Sequence, residues 1–299
     1  MTPTFRRGTR EDSFAVYTVF ARALDDFTRR NNFRTDEPAG KADLYAGWPR
    51  RQPLWEHLAR TADEFWIAEE AGVAIGYARS ILRDHSRELT EFFVLPANQS
   101  AGVGRELLAR AFPAGAAHRS IIATSDARAQ GRYLRAGVYS RFPIYYFGRA
   151  PEAVQAPSDL TLEPFSQAEP VLAALRTVDQ AVLGYTRDVD HLWLAQTRQG
   201  FVYRRGANVV GYGYVGVANG PFALLDAADY PAVLAHAETQ AADRGDSETG
   251  FETPLINRHA VDYLLRRGFR MDSFFAFYMC DHPLGQLENY VVTGPPFFM

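Results

Sequence analysis

The chain has 299 residues, 47% of them hydrophobic and 22% charged, a globular composition long enough for two domains of ordinary size, each with its own core. Its formal net charge of -3 excludes a general attraction to nucleic acid or to an anionic membrane surface. Glu11 and Asp12 precede any long apolar run and no stretch approaches the roughly 20 apolar residues of a membrane span, so a cytoplasmic protein is expected.

Past Phe5, Thr9 and Asp12 have the spacing of a capping box with aspartate in the place of glutamate, and they open a helix with Phe14, Tyr17, Phe20 and Leu24 on one face. Residues 25–60 read as polar and irregular, broken by Pro38, Pro49 and Pro53, with a short helix around Leu54 to Leu58. Phe65 to Ala68 and Val73 to Leu82 read as a hairpin turning at Glu70-Ala-Gly72, with Gly76 marking a bulge or a close approach. Leu89 to Leu95 is a strand that Pro96 ends, because proline donates nothing to a sheet ladder.

Gln99-x-x-Gly102-x-Gly104 follows, and Leu107, Leu108, Ala111 and Phe112 then recur at helical spacing. Two glycines at a helix start let the backbone pass close to a ligand, and the first amides of that helix, lacking partners inside it, are available to an anion. The loop is not a Walker A motif, since no Gly-Lys-Ser/Thr follows, and it lacks one glycine of the dinucleotide fingerprint. Further on, Ile121 to Ala123 is a short strand, 127–136 a helix ended by Gly137, and Val138 to Phe147 an aromatic-rich strand expected to close the unit.

The string Val94-x-Pro96-x-x-Gln99-x-x-Gly102-x-Gly104-x-x-Leu107-Leu108 resembles motif A of the GNAT acetyltransferase superfamily at every anchor position. The resemblance implies an acetyl-CoA site with a pyrophosphate cradle at Gln99, Ser100, Ala101, Gly102, Val103, Gly104 and Arg105, a strand edge at Phe93, Val94 and Leu95 that opens to receive the pantetheine, and Asp126 and Ala129 beside the pantetheine arm. It also implies that the region between the first two strands forms much of the acceptor pocket, for which Phe27, Phe33, Tyr45, Trp48 and Trp55 are candidates.

Beyond a proline-containing linker at 150–158 the pattern starts again. Phe65-Trp-Ile-Ala and Ile75-Gly-Tyr-Ala answer to Phe201-Val-Tyr-Arg and Val210-Gly-Tyr-Gly. Asp126, Ala129, Tyr133 and Gly137 answer to Asn257, Ala260, Leu264 and Gly268 at a constant offset. The expected organisation is therefore α/β: two tandem GNAT-like domains, 1–149 and 159–299, each a mixed, mostly antiparallel sheet flanked by helices. The second copy carries no glycine between Gly220 and Gly245, and Asp226 and Asp229 at its helix start would repel a pyrophosphate; it is read as degenerate.

Acetyl transfer to an amine needs a base, because an alkylammonium with a pKa near ~10 cannot attack while charged. It also needs a donor to the oxyanion and a proton for the departing thiolate. Tyr133 stands four residues before Gly137, where the resemblance implies the tyrosine that protonates the thiolate. Glu88 stands where several family members carry a carboxylate base; Glu91 is its rival, expected on the opposite face by strand alternation. A backbone amide near Phe93 to Leu95 is the oxyanion donor that the family implies.

Cys280, the only cysteine, lies in an apolar run and reads as buried filler. It excludes an internal disulfide framework or a cysteine zinc site, and the histidines lack metal-ligand spacing, so no metal is expected. The expected activity is N-acetyl transfer from acetyl-CoA to a primary amine of a small molecule or peptide, by direct attack in a ternary complex. Acidic Asp25, Asp26, Asp36 and Glu37 are interspersed with arginines and do not select an acceptor. No nucleic-acid or membrane partner is expected, and the duplicated chain is either a monomeric pseudo-dimer or a homodimer. A non-catalytic acyl-CoA sensor, or a tandem acyltransferase of another acyl group resembling the mycothiol synthases, is the alternative. The apolar C-terminus, Gly294-Pro-Pro-Phe-Phe-Met299, is expected to dock on the body.

Overall fold

In the computed structural model, which describes residues 2–33, 40–99 and 102–294, the chain resolves into two units, residues 1–121 with 126–138 and residues 122–125 with 139–299. The first begins with β1 (Thr4–Arg7) and α1 (Ser13–Arg30). The Asp12 carboxylate accepts from the Thr9 amide at 2.8 Å, and Val16, Phe20, Ala23 and Phe27 give α1 its buried stripe.

The second helix, α2 (Lys41–Thr61), is longer than the sequence suggests. It starts where Asp43 accepts from the Gly40 amide at 2.7 Å and runs through both Pro49 and Pro53. Each internal proline costs about 3 kcal/mol. Burial of Leu44, Trp55 and Leu58, at about 2 kcal/mol per side chain, offsets most of that, so tertiary packing overrides the local breakers that made 25–60 read as irregular.

Then come β2 (Ala62–Glu70), β3 (Val73–Arg83), β4 (Ser86–Val94), α3 (Val103–Ala111), β5 (His118–Thr124) and α4 (Ala127–Arg135). Strands β1 to β4 pair antiparallel in sequence order, and β4 pairs β5 in parallel. Ala71 and Gly72, both at positive φ, form the β2–β3 turn. Gly76 is both things its position suggested: the register shifts beside it, and a β-carbon there would lie 3.1 Å from the Phe93 carbonyl oxygen and 3.2 Å from Leu107. Helix α1 packs on β3 and β4, with Phe20 edge-on to Phe93 at 5.0 Å. The Gly76 face, opposite by alternation, meets α3.

The second unit begins with β6 (Tyr139–Arg149), the strand expected to close the first. Its aromatic alternation gives a strand but does not name its neighbours. Residues 150–158 have no regular structure and lie against a later helix, the Val154 amide donating to Thr239 at 2.9 Å. The unit continues with β7 (Thr161–Pro164), α5 (Glu169–Val182), α6 (Asp188–Thr197), β8 (Gln199–Arg205), β9 (Asn208–Val215), β10 (Phe222–Leu224), α7 (Tyr230–Asp243), β11 (Thr249–Pro254), α8 (Arg258–Arg266), β12 (Arg270–Cys280) and β13 (Tyr290–Val291). Strand β6 pairs antiparallel with β11 on one edge and β12 on the other, and a five-stranded antiparallel sheet runs β13-β10-β9-β8-β7. Phe147, Phe222, Tyr230, Phe251, Leu264 and Phe269 share one core.

The repeat is visible in three dimensions. The β8–β9 hairpin matches β2–β3, and α4 and α8 are each nine residues long. Asp126 and Asn257 cap them through the amides of Ala129 and Ala260, and Gly137 and Gly268 follow at φ +84° and +80°. Among the described residues no helix is long and apolar enough to cross a membrane. The expected docking of the C-terminus falls on residues 295–299, outside the described residues.

Candidate active site

Strand β4 is held by β5 only along its first half. The parallel pairing runs from Ser86↔His118 to Leu89↔Ile121 and ends there. Thr90 is an extra residue, since β3 passes directly from Arg79 to Ser80 while β4 passes from Glu91 to Leu89. The peptide groups of Phe92 to Leu95 thus follow a bulge on a strand edge that β5 does not cover, the edge where the sequence expects the oxyanion donor.

The bulge also corrects the expected separation of the two glutamates. Glu88 pairs with Ile81 and Glu91 with Arg79, and residues 79 and 81 of an unbroken strand share a face. Glu88 and Glu91 therefore share the face covered by α1 and α2. Glu91 is committed: the Tyr77 hydroxyl donates to it at 3.0 Å, and it is ion-paired with Arg79 in the interior. Glu88 is buried as well.

At the end of β4 the Gln99 side chain donates to the Val94 carbonyl at 3.1 Å, and the Leu95 amide donates to Ile75 at 2.8 Å. Ser100 and Ala101 lie outside the described residues. Gly102 has φ +84°, with nothing within 4 Å of where a β-carbon would stand, and it is the N-cap of α3, whose first residues are Val103, Gly104 and Arg105. A β-carbon on Gly104 would lie 3.1 Å from Phe92 Cζ and 3.7 Å from the Arg132 guanidinium carbon. The left-handed glycine, the open space at its β-carbon position and the first-turn amides, which an α-helix leaves without intrahelical partners, fit a pyrophosphate. Arg132 adds a fixed positive charge that the sequence reading missed; its signal is its place one residue before Tyr133, on the helix that faces the glycine turn.

Tyr133 is buried, with Phe92 edge-on to it at 6.0 Å. Desolvation, with a smaller contribution from Asp126, raises its hydroxyl well above the ordinary tyrosine range. It stays protonated at neutral pH, as a proton donor to a thiolate must. Asp126 is occupied: it accepts from the amides of Arg128 at 2.8 Å and Ala129 at 3.4 Å and lies 3.5 Å from Arg30.

The aromatic acceptor candidates form a seam between α1 and α2. Tyr45, 55% exposed, stacks on Phe14 at 4.7 Å; Trp48 touches Phe14 and Tyr17; Trp55 is buried against Tyr17 and Phe20. Phe27 meets Phe33 at 6.1 Å. Asp25 and Asp26 are paired with Arg29 and Arg30, while Asp36 and Glu37 lie outside the described residues.

A family profile described as "Acetyltransferase (GNAT) domain" matches residues 61–139, which run from β2 to the start of β6 and include the splayed strand, the glycine turn and Tyr133. The chain carries a GNAT domain. Its fold is that of tandem GNAT proteins. A candidate acetyltransferase from Pyrococcus horikoshii superposes with a TM-score of 0.74 at 12% identity, covering 99% of this chain and 95% of its own. A GCN5-related N-acetyltransferase from Sphaerobacter thermophilus gives 0.60 at 15% identity, covering 96% and 98%. A tandem GNAT protein from the clavulanic acid biosynthesis pathway gives 0.55 at 12%, covering 94% and 99%. No curated protein matches the sequence.

The second GNAT-like repeat differs at the corresponding turn. After β10, Asp226 accepts from the Ala228 amide at 2.9 Å, and Asp229, its carboxyl raised by burial, pairs with Arg205 at 2.7 Å. Leu264, answering to Tyr133, is core. Cys280 is buried, its thiol pushed up by desolvation, with Arg141 donating to its sulfur at 3.3 Å, which suits filler and not a nucleophile. Among the described residues no His, Cys, Asp and Glu group is placed to hold a metal.

Proposed function

We propose that the protein is an N-acetyltransferase that moves an acetyl group from acetyl-CoA to a primary amine by direct attack in a ternary complex. The observation that carries this reading is the conjunction, in one unit, of a strand released from β5 beyond Leu89, a left-handed Gly102 opening α3 beside Arg132, and a buried protonated Tyr133 against Phe92. The turn amides and Arg132 bind the pyrophosphate. The free edge of β4 receives the pantetheine arm, and the Val94 amide, which alternates with the Leu95 amide that donates to Ile75, donates to the developing oxyanion.

Acetyl-CoA supplies the activated acyl carbon. Glu88, on the face covered by α1 and α2, first takes a proton from the ammonium; the neutral nitrogen then bonds to that carbon, the carbon–sulfur bond breaks as Tyr133 gives its proton to the sulfur, and the second proton lost by the nitrogen returns to the Tyr133 oxygen. The amine enters on that face, along the aromatic seam. The first repeat, residues 1–149, is the catalytic one. The repeat 159–299 is degenerate, because its turn amides are satisfied by its own Asp226 and no glycine opens its helix.

Incubation with acetyl-CoA and a panel of primary amines, followed by thiol release and by mass of the product, tests the reading. An acetylated amine formed one for one with free CoA supports it; binding of acetyl-CoA without thiol release in any amine's presence would make the protein a sensor and not an enzyme.

A further inference from the structure

We propose that the buried Arg79–Glu91 ion pair is a positioning device that fixes the free half of β4 in the geometry the acyl donor needs; the inference rests on the acyl-CoA reading above. Thr90 is the bulge, and Glu91 to Val94 follow it and are paired by β3 on one side, beyond the last β4–β5 pair at Leu89↔Ile121. A strand held on one edge with an inserted residue is free to slip its register. At this point the chain concentrates directional contacts. The Tyr77 hydroxyl donates to Glu91 at 3.0 Å, the Arg79 guanidinium pairs with Glu91 and also donates to the Trp55 carbonyl at 3.0 Å, and the Thr90 hydroxyl donates to the Arg79 carbonyl at 3.1 Å. Arg79 lies over the Phe65 ring at 4.9 Å as well.

All of these residues are buried. A buried ion pair is a poor way to gain stability, since apolar side chains of like volume do as well or better without the desolvation of two charges. What the pair supplies and an apolar pair does not is direction: a planar fork and a carboxylate meet in one orientation, and here that orientation is tied to α2 through Trp55 and to the bulge through Thr90. Glu91 and Phe93 share a face, and Phe92 between them points to Gly104 and Tyr133. Fixing Glu91 therefore fixes the backbone that leads to the glycine turn. Arg79 and Glu91 are positioning residues; neither is asked to touch substrate.

The test compares the wild type with an Arg79→Met, Glu91→Leu double variant and with Thr90→Val, which deletes a single hydroxyl. Three quantities are measured on the full chain: the melting midpoint, amide exchange of peptides covering Thr90–Val94, and acetyl-CoA affinity by calorimetry. The account expects the double variant to melt near the wild type, to exchange those amides about tenfold faster, and to bind acetyl-CoA about tenfold more weakly; Thr90→Val moves the same two readouts in the same direction. Wild-type exchange and affinity in both variants would make the pair purely structural and overturn the proposal. If the double variant does not fold, Thr90→Val decides. A wild type that binds no acetyl-CoA removes the functional reading, and with it the donor part of this one, while the exchange arm still reports whether the pair holds the strand.

Discussion

Phe92 and Gly104 are locked to each other: the ring's Cζ stands 3.1 Å from the place where a β-carbon on Gly104 would be. The same ring lies edge-on to Tyr133, so the glycine that opens the turn, the strand that has left β5 and the tyrosine share one contact. Gly104→Ala pushes Phe92 toward Tyr133 by a few tenths of an ångström, and acetyl-CoA affinity is expected to fall about tenfold by calorimetry with the fold retained. Gly102→Ala acts differently. It forces a β-carbon into φ +84°, a strain of about 1 kcal/mol, and is expected to show as faster amide exchange at the start of α3.

Tyr133→Phe is expected to lower kcat by about 10²-fold to 10⁴-fold and to leave the acetyl-CoA dissociation constant unchanged. Burial raises the Tyr133 hydroxyl far above the assay range, so it is protonated throughout. The loss should therefore be the same from about pH 6 to pH 10, with no limb of the pH profile displaced, and steady-state rates across that range check it.

Glu88→Gln and Glu91→Gln are neighbours on one face and should behave oppositely. The first is expected to remove turnover with little change in melting, because it keeps the shape and removes the proton acceptor. The second leaves the Arg79 charge buried without its carboxylate and is expected to destabilise by roughly 3 kcal/mol, seen in a denaturant melt before any rate is measured.

Glu252, on β11, titrates at about 7, raised chiefly by desolvation and further by Asp272. Its unfolded carboxyl ionises near ~4.3, so between those values the folded state holds a proton that the unfolded state has lost. Its contribution is fully present below about pH 4 and is lost as pH rises through 7. Glu252→Gln is expected to be more stable than the wild type above pH 7, by roughly 1–3 kcal/mol, and to match it near pH 4; melts at the two pH values check this.

The glycine string was legible because its residue types are constraints in themselves. Gly102 sits at a φ that side chains avoid, Gly104 meets a ring, and Gln99 ties back to Val94. The two repeats were legible for the same reason: Asp126 and Asn257 cap helices, and Gly137 and Gly268 end them. Pairing was not legible. Thr90 carries no mark of a bulge, so alternation sent Glu88 and Glu91 to opposite faces, and β6 reads as a strand whatever its neighbours are. Pro49 and Pro53 pointed to a broken segment, while the burial of Trp55 and Leu58 that keeps α2 continuous depends on α1 and is invisible locally. Arg132 escaped because it is one of three arginines on α4, with Arg128 and Arg135, and only its contact with the glycine turn sets it apart.

The central claim is that one glycine turn per chain binds the acyl donor. Titration of acetyl-CoA into the wild type and into a Gly102→Glu, Gly104→Glu double variant tests it most directly. The account predicts a single site per chain in the wild type and none in the variant, whose carboxylates occupy the place of the pyrophosphate. Two sites would show that the self-capped turn at Asp226 also binds the donor, and a silent wild type would contradict the acetyltransferase reading altogether.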